Sequence, residues 1–277
     1  MNNKPEQDDD GADKYTVPGL ERGLRLLCEF SRHERSLSAP ELAKRLDVPR
    51  STVFRLLATL ERMGFVERNE GGRDYKLGMA VLRLGFEYLA SLELTEIGRP
   101  LLERLREDIQ YSTCLVVRDT RSIVYVAKST MPAPFISSVN VGTRLPAHAT
   151  VLGRVLLQDM TLPQLRELYP EEHLKVYSEN TPKTVLDLFN MVQADRERGY
   201  VQEEGFFERG ICTVAAPVRD HSGKVVAALG VTIPEPHIAA NELDYMVAQV
   251  CMSAAELSRL LDHAPADDGK VVNMFRN

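Results

Sequence analysis

Two amphipathic helical patterns separated by three turn residues, and followed at once by a hairpin pattern, occupy residues 38–77. Ser38-Ala39-Pro40-Glu41 has the composition of a capping box. The Ser38 hydroxyl can accept from the Glu41 amide, the Glu41 carboxylate can reach back, and Pro40 sits in a first turn where no amide partner is needed. The first helix presents Leu42, Ala43 and Leu46 on one face, and Asp47-Val48-Pro49 makes the turn. The second helix begins near Arg50 and buries Val53, Leu56, Leu57 and Leu60, spaced i, i+3, i+4 and i+7. Its other face holds Arg50, Ser51, Thr52, Arg55 and Thr59, with no acid among them. Arginine reads guanine through two parallel hydrogen bonds and short hydroxyls reach phosphates or bases, so this face suits a helix laid in a major groove. Gly64 is placed to end the helix. Residues 65–68 and 75–77 alternate about the loop 69–73, a hairpin flanked by Arg68 and Arg73. A winged helix-turn-helix is therefore expected. The alternative is a helical hairpin that merely lies beside a β-hairpin.

A chain of 277 residues has room for two domains, each with its own core. The net charge of −6 at first argues against a nucleic-acid partner. Its distribution answers that. Residues 14–78 hold thirteen Lys/Arg against nine Asp/Glu, about +4, which leaves about −10 for the rest of the chain. Only the basic head needs to meet phosphate. No apolar run reaches the roughly 18 residues of a membrane helix, so no membrane partner is expected. The first residues turn acidic at Asp8-Asp9-Asp10 and carry no hydrophobic segment. Residues 1–14 are read as a disordered tail, not a signal peptide, and the chain is expected to be cytoplasmic.

Cysteines at 28, 114, 212 and 251 are far apart and form no metal-ligand spacing. No metal and no cofactor are expected. Each cysteine sits among apolar residues, which suits buried, reduced thiols; the rival reading is a redox-active thiol at Cys114 or Cys212.

Leu20, Leu24, Leu27 and Phe30 mark an amphipathic helix ahead of the motif. Residues 79–92 carry Val81, Leu82, Leu84 and Leu89 at helical spacing. They read either as a linker helix that also packs on a second subunit or as a core helix of the next domain. A helix over 94–109 follows, then β-rich runs at 113–117 and 123–127 joined by a turn at 118–121, and a third strand over 136–141. Helices are expected at 149–158, 162–169, 185–197 and 240–261. Two apolar strands, 213–218 and 224–233, are joined by Asp220-His221-Ser222-Gly223. Helices flanking a mostly antiparallel sheet make an α+β sensor domain. The expected division is winged helix-turn-helix 15–78, linker helix 79–93, sensor domain 94–262 and polar tail 263–277.

The chain resembles the IclR family of bacterial transcription regulators. Leu20-Glu21-Arg22-Gly23-Leu24, Leu42-Ala43 and Arg50-Ser51-Thr52-Val53-Phe54-Arg55-Leu56-Leu57 look like its DNA-binding domain, and Tyr75-Lys76-Leu77-Gly78 like the end of its wing. Residues 141–150, from Val141-Gly142-Thr143-Arg144, with Gly153-Arg154-Val155-Leu156-Leu157, look like its effector-domain signature. Residues 210–218 match the strand that leads into the pocket. The resemblance implies a GAF-like effector-binding domain for a small organic acid, and a homodimer, often paired into a tetramer, on double-stranded palindromic promoter DNA. By similarity the pocket positions are Val151 and Leu152 at a helix start, Glu203, Thr213, Gly230 and Thr232.

Free amides at a helix start favour a carboxylate, and both threonines can donate. The sequence departs from the family at Glu203-Glu204, which runs into Gly205-Phe206-Phe207, and at Gly230, which offers no side chain. Both departures suggest a larger, flatter ligand than a two-carbon acid. The phrasing around Arg144 and Arg154 is similar to the branch that controls aromatic-acid catabolism. Arg144 either pairs with a ligand carboxylate or forms a structural salt bridge; His148 either touches ligand or bonds to backbone. Phe135, Phe206 and Phe207 are ring walls or core. An ionised Glu203 would repel a carboxylate, so it must accept a ligand hydroxyl or be protonated. The expected function is transcription regulation by an effector-responsive DNA-binding protein, with no catalytic residues. The alternatives are a redox-active enzyme built on Cys114 and Cys212, a regulator answering to a short aliphatic acid, and an architectural protein that binds no small molecule.

Overall fold

The computed structural model describes residues 16–31, 34–69, 71–90, 93–131, 139–233 and 240–263, with the side chains of 86–90 and 240 excepted. The expected terminal tails, apart from His263, and Phe135 lie outside them, as does the Leu89 side chain. The chain divides into two compact units, Met1–Ser91 and Leu92–Asn277.

The first unit opens with α1 (Pro18–Cys28), whose first turn holds a proline. Its apolar stripe is not the buried one. Leu20 and Leu24 are 62% and 55% exposed, while Gly23, Leu26 and, past the helix end, Phe30 are buried. The reason is Gly23: with no side chain there, α1 lies against Leu56, 3.9 Å from where a Cβ would stand, and its flanking leucines turn outward. Ahead of α2 (Ala39–Leu46), Ser38 accepts from the Glu41 amide at 3.3 Å. The other half of the expected capping box is missing, because Glu41 turns to Arg45 instead, at 3.0 Å. Asp47 closes α2 in the left-handed region, φ 52°. After α3 (Arg50–Arg62), Gly64 at φ 76° donates to the Glu61 carbonyl and Phe65 to the Leu60 carbonyl. These two hydrogen bonds satisfy the Leu60 and Glu61 carbonyls in the last turn of the helix. Phe65 thus caps the helix with its amide while its carbonyl accepts from Gly78 at 2.8 Å, which ties it to the base of the wing. The wing strands are β2 (Val66–Arg68) and β3 (Asp74–Leu77), and β1 (Leu37–Ser38), unforeseen, pairs with the other edge of β3. Leu26, Leu42, Val53, Leu57, Val66 and Tyr75 form the core. Met79, Leu82 and Leu84 on α4 (Met79–Ala90) are exposed.

The second unit is one antiparallel sheet covered on both faces. In chain order its elements are α5 (Glu93–Ile109), β4 (Ser112–Asp119), β5 (Ser122–Ser129), β6 (Arg144–Pro146), α6 (Val151–Leu156), α7 (Leu162–Leu168), α8 (Val185–Arg198), β7 (Val201–Glu204), β8 (Cys212–Arg219), β9 (Val225–Ile233) and α9 (Ala240–Leu260). The strand order is β6-β5-β4-β9-β8-β7. Side chains alternate between faces along a strand. Leu115 meets Gly98 of α5, beside Leu257 of α9, and the next residue back, Cys114, joins the core under α6, α7 and α8. The third strand expected at 136–141 is not found: 139–141 are not extended into a strand and 136–138 lie outside the described residues. β6 takes that place in the sheet instead.

The thiols correct a second expectation. Cys28 is exposed and Cys251 half-buried; Cys114 and Cys212 are buried and free. Cys114 shares a cross-strand row with Gly230 and Ala215. Cys212 is three residues from Ala215 and therefore on the opposite face. The two thiols cannot meet.

Candidate functional site

The outward face of α3 carries Arg50, Ser51, Arg55 and Thr59 exposed, with Thr52 half-buried at its edge. The Thr59 hydroxyl is spent within the helix, donating to the Arg55 carbonyl at 2.9 Å. On the wing, Arg73 is exposed. Arg68 is tethered: its Nε donates to Glu61 at 3.0 Å and its guanidinium lies over the Tyr75 ring at 5.2 Å. Phe54, passed over by a reading of polar residues alone, is 52% exposed on the same helix.

In the second unit the register assembles a polar row. Ser112 pairs with Thr232, Thr232 with Thr213, and Thr213 with Glu203, so β4, β9, β8 and β7 each contribute one side chain to the α6 face. The next row inward, Cys114, Gly230, Ala215 and Val201, is apolar. Ser112 accepts from the Met131 amide at 3.1 Å. The Thr213 and Thr232 hydroxyls have no protein partner among the described residues. Above the sheet, Thr150 caps α6 by accepting from the Gly153 amide at 3.1 Å. Val151 and Leu152 are the first two residues of α6, whose amides have no intrahelical acceptor. Gly230 does not leave its space to a ligand, as the sequence suggested. A Cβ there would stand 2.7 Å from Leu152 Cδ2, so the Leu152 side chain fills the gap.

Glu203 is not isolated. Arg154 Nη1 donates to it at 3.1 Å. The same guanidinium makes two bonds of 2.7 Å to Asp195 on α8 and lies over the Phe206 ring at 4.8 Å. Arg154 and Asp195 are almost fully buried. Burial pushes the Asp195 carboxyl up and Arg154 pulls it back. The buried Asp195 carboxylate is tolerated because the arginine fork meets both its oxygens, while the remaining nitrogen reaches the half-buried Glu203. The sequence reading named Arg154 only as part of a signature. An arginine inside the apolar run 151–157 was the available signal, since such a charge requires an acid somewhere in the fold.

Arg144 and His148 are not part of this row. Arg144 aligns with Val124 and Val117, five residues along β4 and three strand spacings from Thr232, about 20 Å away. Its Nη1 bonds to Asp119 at 2.6 Å, the structural salt bridge of the two readings. His148 Nε2 bonds to the Lys175 carbonyl at 2.9 Å, and burial lowers its pKa. Both line a separate cleft of about 370 Å³ with Arg121, Tyr169, Lys175 and Tyr177. Phe207 packs on Tyr177, 5.3 Å between ring centroids. Burial pushes the Cys114 thiol up to about 12 and raises Cys212 as well, so neither is a thiolate at neutral pH. Among the described residues there is no cluster of three metal-ligating side chains and no helix long and apolar enough to cross a membrane.

A winged helix-turn-helix followed by a sheet with a polar, partly unpartnered row defines a ligand-responsive DNA-binding transcriptional regulator. The IclR helix-turn-helix domain matches residues 19–70, and the bacterial transcriptional regulator IclR C-terminal domain matches residues 86–259. The chain belongs to the IclR family. It is 32% identical over 240 residues to the Pca regulon regulatory protein of Pseudomonas putida, covering 86% of this chain and 82% of that one. A transcriptional regulator from Rhodococcus sp. RHA1 superposes with a TM-score of 0.78 at 29% identity, covering 89% of this chain and 99% of that one. An IclR homologue from Microbacterium hydrocarbonoxydans, solved in complex with 4-hydroxybenzoate, shares the fold with a TM-score of 0.76 at 23% identity, over 88% and 99% of the two chains.

Proposed function

We propose that the chain controls a catabolic operon in response to a hydroxylated aromatic acid, held on the polar row of the second unit. The observation that carries this is the pairing of unlike groups along one row. Thr232 and Thr213 offer hydroxyl donors with no protein partner among the described residues, and Glu203 offers an acceptor that Arg154 holds in place. A carboxylate takes the donors, together with the first amides of α6. A phenolic hydroxyl donates to Glu203. The flat ring lies between them against Leu152. A short aliphatic acid without a hydroxyl satisfies only one end, and a buried carboxylate left unmatched costs several kcal/mol. The 4-hydroxybenzoate held by the homologue from Microbacterium hydrocarbonoxydans supports an aromatic ligand.

On the DNA side, Arg50, Ser51, Thr52, Arg55 and Thr59 face the major groove, and Arg68 and Arg73 meet the backbone from the wing. The exposed apolar residues of α1 and α4 serve a homodimer, which places two heads on a two-fold site. Effector binding shifts the equilibrium between arrangements of those heads.

The test is a thermal-shift screen of hydroxybenzoates, benzoate and short aliphatic acids. A hydroxybenzoate is expected to raise the melting temperature most. Thr213→Val and Glu203→Ala are expected to remove most of that shift while leaving DNA binding without ligand unchanged. A best ligand that is aliphatic or uncharged overturns the aromatic assignment and leaves the family function standing.

A further inference from the structure

Phe54 is a large apolar side chain in an unusual place. It is the fifth residue of α3, a helix whose outward face otherwise holds arginines, hydroxyls and the small Ala58. Its side chain is not among those packed on the core of the first unit, and half of its surface is open. At 100° per residue Ser51, three residues before it, and Ala58, four residues after it, lie on the same side of it, about 60° and about 40° round the helix, so that it stands on one flank of the ridge that Ser51 and Arg55 form. A helix-turn-helix places the N-terminal residues of its second helix against base edges. The only apolar group that a major groove displays on those edges is the 5-methyl of thymine. We propose that Phe54 is a specificity-determining residue that packs its ring on a thymine methyl, so that this protein reads one base of each half-site by apolar contact beside the hydrogen bonds of Arg55 and Ser51. The inference rests on the assignment of α3 to the major groove.

The small Ala58 one turn on leaves the ring room to lie flat along the helix, and Ser51 one turn back is short enough not to hold it off the base. An exposed ring reading phosphate or nothing at all would leave no mark on sequence preference. A ring on a methyl leaves a mark at one position only.

The experiment uses the full chain. Sites are selected from random duplexes with the wild type and with Phe54→Ala, whose fold is checked by melting. The wild type is expected to enrich a half-site containing an invariant thymine, and the variant to lose the preference at that position alone. Replacing that thymine by uracil, which deletes only the methyl, is expected to weaken the wild type by roughly four- to tenfold, the scale of one buried methyl, and to leave Phe54→Ala unchanged. Phe54→Leu is expected to retain part of the discrimination. Wild-type affinity indifferent to uracil at every thymine of the site overturns the proposal, as does a variant whose preferences are unchanged or uniformly weakened. A wild type that selects no site at all overturns both the proposal and the major-groove assignment beneath it, which separates the two failures.

Discussion

At the scale of single residues, the second unit places its titratable groups where burial decides their state. His148 is buried, and its ring bonds to the Lys175 carbonyl through Nε2. A carbonyl only accepts, so Nε2 carries the proton and Nδ1 holds the lone pair in the neutral ring. Burial disfavours the imidazolium more than that bond favours it, and the folded-state pKa lies below the ordinary 6.5. The unfolded chain therefore takes up its proton first as pH falls. The stability this ring contributes is complete above 6.5 and is lost as pH drops below it toward the folded-state value. Melting curves of wild type and His148→Gln recorded between roughly pH 7.5 and pH 5 should converge as the solution becomes more acidic. Parallel pH profiles would remove His148 from the account. Arg154 and Asp195 follow a different logic. Both are buried, they are 41 residues apart in sequence, and they could be joined only once α6 and α8 were seen to share a layer.

At the scale of elements, α6 packs on β9 through Leu152 and Gly230. Adding a methyl at Gly230 puts a Cβ 2.7 Å from Leu152 Cδ2, a mobile side-chain end, and 3.0 Å from the Val214 carbonyl, which cannot yield. Gly230→Ala is expected to destabilise by about 1–3 kcal/mol, the usual cost of overpacking. Leu152→Ala opens a cavity of its own. The double variant should be more stable than the sum of the two by about 0.5–1 kcal/mol, measured by denaturant unfolding, because each change relieves the other. Strict additivity would mean that the carbonyl, not Leu152, sets the limit. The elements legible in the sequence were those that carry their own signals. α3 has its apolar spacing and the Gly64 stop, and β8 and β9 have apolar runs around an Asp-His-Ser-Gly turn. β1, β6 and β7 are two to four residues long and sit at sheet edges, and β7 is mostly polar as well, so only their neighbours make them strands. The same holds for the site. Glu203, Thr213 and Thr232, named together from the sequence, do fall on one row, whereas Arg144 was grouped with them because adjacency in a motif says nothing about the register that carries it to the far end of the sheet.

At the scale of the whole molecule, the exposed leucines of α1 and α4 ask for a cover. Leu20 and Leu24 contribute little to the core of their own unit, so charging them should spare the fold and strike only association. Sedimentation of the wild type at micromolar concentration is expected to give a dimer or larger species, and Leu20→Glu with Leu24→Glu to lower its order and its affinity for DNA together. A wild type that sediments as a monomer would retire the two-headed arrangement. The polar row has a bearing on the molecule as a lineage. Its four side chains come from four separate strands, while the ladder that aligns them is backbone throughout. Each position is a pin in a tumbler lock: one can be recut without shifting the other three, and without touching the head that turns the key into a promoter decision.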